Sequence, residues 1–311
     1  MNLLARCTLG CYLLTSALDS NAEVLSDGSL GQVAGTPIEL DFAMTYDITE
    51  DLGQLNGNNL FHSFQTFNIA NGETARFTGP SVINNIIARV TGGSASTIAG
   101  AISSDYVGAD LFLINPTGIV FSEGASFDVD GNIHVGAAST VQFGGVGVFN
   151  AVTPNDPTLL TIDPSGFGFL QGQFQTLSFD RVNMVLNDNQ KLILAGAQVD
   201  FDATEITTID GGIEMAAAGD SGTSLIFDDF DSLALTTGVI SLVNGSELDV
   251  SGTGGGVLHL IANDITLNNS ELINEAELDQ AGTQQGLVQL NGNTIRLSND
   301  AEINANVRST G

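Results

Sequence analysis

Three histidines, two cysteines and 36 acidic residues carry most of the chemical capacity of this 311-residue chain. His62, His134 and His259 have no spacing suited to a zinc site. Asp128-Val129-Asp130-Gly131-Asn132 has the look of half a calcium loop but lacks the bidentate Glu that would close one. Asp228, Asp229 and Asp231 read as a solvated turn. The Gly252–Gly256 run has neither a following Lys nor a helix, so it is a flexible turn rather than a phosphate cradle, and no Gly-x-Ser-x-Gly elbow occurs. Two carboxylates facing one cleft could hydrolyse a neutral glycoside, and with so many acids such a pair stays open. Acidic polymers need clustered cations, whereas Arg76, Arg89, Arg181, Lys191, Arg296 and Arg308 are scattered. A polysaccharide-active enzyme is therefore the alternative reading, not the leading one, and no cofactor is expected.

The formal charge of −29 removes the basic footprint that nucleic acid or anionic lipid would require. So much acid makes a solvated, mutually repelling exterior, with cation binding as the functional alternative. Residues 1–22 are expected to be a secretory signal peptide: Arg6 gives the positive start, Leu9–Leu18 the apolar run, and Ser20-Asn21-Ala22 a small-residue cleavage site. The apolar run is too short to span a bilayer. A buried N-terminal helix or a misassigned start are the other readings, and Asp19 interrupts the cleavage region. Cys7 and Cys11 would leave with the peptide. A cysteine-free mature chain suits passage through a narrow pore in an unfolded state, where disulfides would obstruct.

The elements that must position any site are short strands. Gly256-Val-Leu-His-Leu260 with Asn263-Asp-Ile-Thr-Leu-Asn-Asn269 matches Gly286-Leu-Val-Gln-Leu290 with Asn293-Thr-Ile-Arg-Leu-Ser-Asn299, offset by 30 residues. Period-two alternation in Ile265-Thr-Leu267 and Ile295-Arg-Leu297 marks strands, and repetition at this spacing marks solenoid coils. The predicted fold is all-β, a right-handed parallel β-helix with an N-terminal β cap over about Glu23–Asp51. Roughly a dozen rungs at about 4.8 Å each would make it about 55 Å long. Asn residues at equivalent turns are expected to stack as ladders inside it. Glu214–Ala218 is expected to be strand lined by small residues. The Phe61–Phe67 cluster alternates like a strand in the capping core, with His62 as a structural hydrogen-bonding residue. All six prolines lie within the first 164 residues and no aromatic residue follows Phe230, so the first part is irregular and the last part plain.

One segment stands out: Ala109-Asp-Leu-Phe-Leu-Ile-Asn115-Pro116-Thr117-Gly118-Ile119-Val-Phe121. An apolar strand enters a turn and a second apolar strand leaves it. Pro116 fixes φ and Gly118 can take φ > 0, so the chain can reverse sharply.

The Asn115–Ile119 block resembles the Asn-Pro-x-Gly-Ile signature of the two-partner secretion domain of filamentous haemagglutinin-type exoproteins. Further matching blocks are Leu60–Phe67, Asn84-Asn85-Ile-Ile-Ala-Arg89-Val-Thr-Gly92-Gly93, and Leu159-Leu160 through Gly166–Phe169. Thr117 stands where well-known members carry a second Asn, and no separate Asn-Pro-Asn-Leu motif lies upstream. The resemblance implies a secretion domain over 23–235 and, over 236–311, further β-helix coils that begin a longer passenger region, since Asn306–Gly311 stops in mid-pattern. It implies a partner in the periplasmic domains of an outer-membrane transporter, and release to the surface of a Gram-negative-type bacterium via the periplasm. Adhesion to glycans or proteins of a host or a neighbouring cell is also implied. The residues it marks for transporter recognition are Asn115, Pro116, Thr117, Gly118, Ile119, Asn84, Asn85, Arg89, Gly92 and Gly93. For the turn, a purely structural role is an equal alternative. A structural matrix protein would share the fold and differ in partners.

Overall fold

The computed structural model describes residues 23–155, 159–172, 175–220, 222–233, 237–277 and 286–308, without the side chains of 277, 307 and 308. The expected signal peptide, with Cys7 and Cys11, lies outside the described residues.

Short apolar strands separated by turn residues cannot bury their inner sides alone, and stacking solves this. The chain winds into a parallel β-helix of eight coils among the described residues. The coil holding the Asn115 turn illustrates the three faces, running Asp110–Ile114, Ile119–Ser122 and Ser126–Asp128. The first face continues from Asn59–Asn68 to Leu287–Asn291, and the second from Ser96–Ile98 to Thr294–Ser298. The third face is split into two ladders, Thr45–Thr49 to Ser126–Asp128 and Asn183–Val185 to Glu302–Arg308. Eight coils correspond to roughly 35–40 Å, not the dozen rungs the sequence suggested. The difference comes from residues that leave the helix, the described ones among about 137–175 and 218–238.

The 30-residue repeat is one coil: Val257 pairs Leu287 and Ile265 pairs Ile295 in parallel register. Inside, Phe121, Phe179 and Phe201 stack at 4.8 Å steps, tilted by 10° and 3°, and Leu242 and Leu267 continue the column. The Glu214–Ala218 segment is strand, as expected, within Gly212–Ala217.

Asparagine pairs do form between coils, on the outer side rather than in the apolar interior; Asn59 and Asn85 make a buried one and two others are exposed. Asn293 Nδ2 donates to Asn263 Oδ1 at 2.7 Å and Asn299 Nδ2 to Asn268 Oδ1 at 2.8 Å, both on the exposed turns. A second reason for asparagine is conformational. Asn244, Asn269 and Asn299 occupy the corner between the second and third faces with φ of 58°, 50° and 51°. Among residues with a side chain, Asn takes this left-handed conformation most readily.

The N-terminal cap is an antiparallel strand, Glu23–Ser26, laid against Asn59–Asn68. His62 in that strand is structural by packing: it lies buried near Phe64 and Phe77, and burial presses its pKa down to about 3.

The residues that leave the helix build a second sheet, which the sequence did not reveal. Thr140–Phe143, Gly147–Asn150, Gly166–Phe169 and Thr223–Ile226 pair antiparallel. They cover the outer side of the first face, where Phe61, Ile87, Phe112, Ile114, Ile193 and Ala216 meet Val141, Phe143, Phe149 and Phe167 in a second core. Asn56 Nδ2 donates to Leu159 O at 2.7 Å, and Asn59 Nδ2 to Leu160 O and Ile162 O at 2.9 and 2.7 Å, strapping this excursion to the first coil.

On the third face Glu205, Glu247, Glu271 and Glu302 stand in register on successive coils. Burial, then the charges of Glu205, Glu271 and Asp249, hold the Glu247 carboxyl above its ordinary pKa. A raised folded pKa means that the charged form opposes folding: the column is harmless below the ordinary carboxyl pKa and penalises the fold as pH rises through the folded value. Glu247→Gln is therefore expected to stabilise the protein by about 0.5–1 kcal/mol at pH 7. Thermal melts should show the gain vanish near pH 4, and an equal gain at both pH values would contradict this origin.

Candidate functional site

The Asn115–Gly118 corner is a β-turn whose i and i+3 residues are joined by Gly118 N–H donating to Asn115 O at 3.0 Å. Asn115 Oδ1 accepts from Thr117 N at 2.9 Å, closing an Asx turn within it. The amide nitrogen of Asn115 donates to Ser94 O and Ser96 Oγ, both at 3.0 Å, tying the corner to the preceding coil. Its backbone N–H donates to Gly136 O on the following coil. Asn115 is 1% exposed, Pro116 is buried, and Ile119 points into the core. Gly118 has φ of 111°, and a Cβ there would sit 3.0 Å from Thr176 O. Thr117 takes part in the turn through its backbone, so the turn leaves its side chain unspecified.

Asn115→Ala removes one amide that makes three hydrogen bonds and leaves buried partners unpaired. A loss of about 1–3 kcal/mol in urea unfolding is expected. A change below half of one kcal/mol would show that the corner holds without it.

The Asn84–Gly93 block runs along the preceding coil. Asn84 is exposed, and its backbone N–H donates to Asn58 O. Asn85 is buried and donates to Asn59 Oδ1 and Asp163 Oδ1, both at 2.8 Å. At the other end of the strand, Gly92 packs so closely that a Cβ would meet Gln65 O at 2.0 Å, and Gly93 takes φ of 77° with open space around it. The Gly92-Gly93 end adjoins the Asn115 corner through Ser94 and Ser96. The Asn84-Asn85 end lies one strand length away, about 20 Å. The structure thus brings together only part of the residues marked from the sequence.

Arg89 lies between these ends with no exposed surface. Its Nε donates to Ser63 Oγ at 2.7 Å, and its terminal nitrogens to Asn150 O, Ser29 Oγ and Pro154 O at 2.5, 2.8 and 3.1 Å. The guanidinium sits 3.9 Å above the Phe149 ring. Burial lowers its pKa to about 10, so it stays charged at neutral pH, and Asp27 opposes the shift. Burial works to raise the Asp27 carboxyl, but hydrogen bonds from Ser63, Ser29 and Thr91 outweigh it and hold the pKa below its usual value. Asp27, Ser29 and Ser63 escaped notice in the sequence because they lie 26 to 62 positions from Arg89, too far for any local motif.

The other candidate chemistry resolves into structure. Gln190 Nε2 donates to Val129 O and Gly131 O at 2.6 and 2.5 Å, so the Asp128–Asn132 turn is held by an amide from a neighbouring coil. Among the described residues no three His, Cys, Asp or Glu side chains are placed to hold a metal.

A capped parallel β-helix, with a Pro-Gly corner tied to both neighbouring coils and a strapped outer sheet, defines a β-solenoid class of protein. The family model of the TPS secretion domain matches residues 22–249, and the chain belongs to that family. It is the secretion-directing domain of a two-partner secretion exoprotein, and the family is not one of enzymes. Membership implies a secreted protein of Gram-negative bacteria, exported via the periplasm with an outer-membrane transporter as partner. No curated protein matches the chain.

Proposed function

We propose that residues 23–235 direct export by presenting the segment around 84–122, while still extended, to the periplasmic domains of the transporter. Residues 236–311 then begin an exposed passenger that serves adhesion to glycans or proteins of another cell. The observation that supports this most is burial. Asn115, Asn85 and Arg89 are almost wholly enclosed and spend their side-chain hydrogen bonds within the fold, so the folded chain offers them to no partner. An extended, strand-prone segment still has its backbone groups and alternate side chains free to add to a sheet edge.

The test is release into the medium from a Gram-negative host, with and without the cognate transporter. Wild type is compared with Asn115→Ala and with Leu242→Ala, a core variant that leaves the segment intact. Transporter-dependent release that falls further in Asn115→Ala than in Leu242→Ala, with weaker binding of a 109–121 peptide to isolated periplasmic domains, is expected. Release without a transporter, or equal losses in both variants, would overturn recognition of this segment.

A further inference from the structure

Two outward columns of side chains cross the first face beneath the excursion sheet. One runs Asn59, Asn85, Asp110, Asn132 and Lys191 on successive coils. The other runs Phe61, Ile87, Phe112, His134 and Ile193. Between them and residues 163–165 and 227–228 of the excursion opens a cleft of about 550 Å³. That volume falls within the range of small-molecule sites, about 300–1,000 Å³.

One group in the cleft is unfinished. His134 is 6% exposed and lines it, stacked on Phe112 at 4.1 Å and tilted against Phe227 at 4.6 Å. Its Nδ1 has no hydrogen-bond partner among the described residues. Burial, with Lys191 adding to it, presses the His134 pKa to about 3, so the ring is neutral and can give or take a hydrogen bond. A buried unpaired nitrogen costs about 1–3 kcal/mol, and a turn of the ring that brings Nδ1 to the cleft would let a ligand recover it.

The rest of the lining narrows the ligand. Asp110, Asp163 and Asp228 face a single cation, Lys191, so an anion is disfavoured. Asn85, Asp110, Asn132 and Asp163 make one side too polar for an apolar guest, while Phe112, His134 and Phe227 make the other too flat and apolar for an ion. One polar edge and one ring-lined floor match a molecule with hydroxyls around its rim and C–H groups on its face. We propose that this cleft binds a neutral saccharide, with Asp110, Asn132 and Asp163 taking its hydroxyls and the rings around His134 taking its apolar face. The site lies within residues 84–228, so it adds a sugar contact on the secretion domain itself, beside the adhesion proposed for 236–311, and it rests on the proposed release of the folded chain. Recognition by the transporter is separate from it.

The test titrates the secreted chain with neutral trisaccharides of glucose and of galactose, a uronic-acid trisaccharide and trilysine, read by calorimetry and saturation-transfer NMR. A neutral trisaccharide is expected to bind and to draw magnetisation from Phe and His ring protons. His134→Phe keeps the ring stack and removes the unpaired nitrogen. Asp163→Asn keeps the acceptor for Asn85 and removes the charge. Each is expected to weaken binding about five- to tenfold with no loss of melting temperature, and a rise for His134→Phe as the unpaired nitrogen goes, while Glu302→Gln on the third face leaves binding unchanged. Binding of none of the neutral sugars, wild-type affinity in both cleft variants, or preference for the uronate or trilysine would overturn the site. Export is scored separately. A variant released normally but blind to sugar supports the cleft alone, and chain recovered from the periplasm can still be titrated if transporter-dependent release fails.

Discussion

Arg89→Ala is expected to destabilise the protein by about 3–5 kcal/mol, one of the two largest single losses foreseen for it. The guanidinium joins the cap at Ser29, the first coil at Ser63 and the excursion at Asn150 and Pro154. Its removal strands two carbonyls and two hydroxyls in a closed space and uncovers the Phe149 ring face. Arg89→Lys should recover little, because an ammonium cannot fork toward four acceptors or lie flat on the ring. Urea unfolding measures the total. Amide hydrogen exchange should show residues 140–150 losing protection before the coils do. A loss below 1 kcal/mol, or uniform loss of protection, would mean that the excursion is held by its apolar contacts alone.

Phe179→Ala is the second, with about 3–5 kcal/mol expected from lost transfer energy and a residual cavity. Phe179 is fully enclosed between Phe121 and Phe201, and the stacked coils cannot slide together to refill its volume. Phe179→Leu should cost only about 1–2 kcal/mol, since Leu242 and Leu267 already fill the same column position on later coils. Thermal unfolding of both variants checks this. Equal losses would show that the ring stack itself, not filled volume, supports this stretch.

The coils were legible because their repeat is regular where the chain is plain: the 30-residue offset of 256–269 against 286–299 is a direct strand-on-strand register. The cap and the corner at Asn115 were legible from turn chemistry. The outer sheet was not, because Gly147–Asn150 and Gly166–Phe169 have the same short, Gly- and Phe-rich character as coil strands. A signal for it did exist. Asn85–Val90 is buried at every position and Leu111–Ile114 likewise, whereas a strand with one solvent face alternates. Continuous buried runs on one face of a solenoid demand a cover. The residues spent on that cover lower the coil number and wall the cleft with segments distant in sequence.

The straps from Asn56 and Asn59 reach carbonyls 101 to 103 positions further along. A chain delivered N-terminus first holds those donors open until residue 162 arrives, so the first coil cannot be closed by its own residues. Half of the sequence must emerge before the earliest part becomes permanent. The fold therefore carries a clock counted in residues: structure formed before residue 162 is made lacks these straps, and locking waits for it.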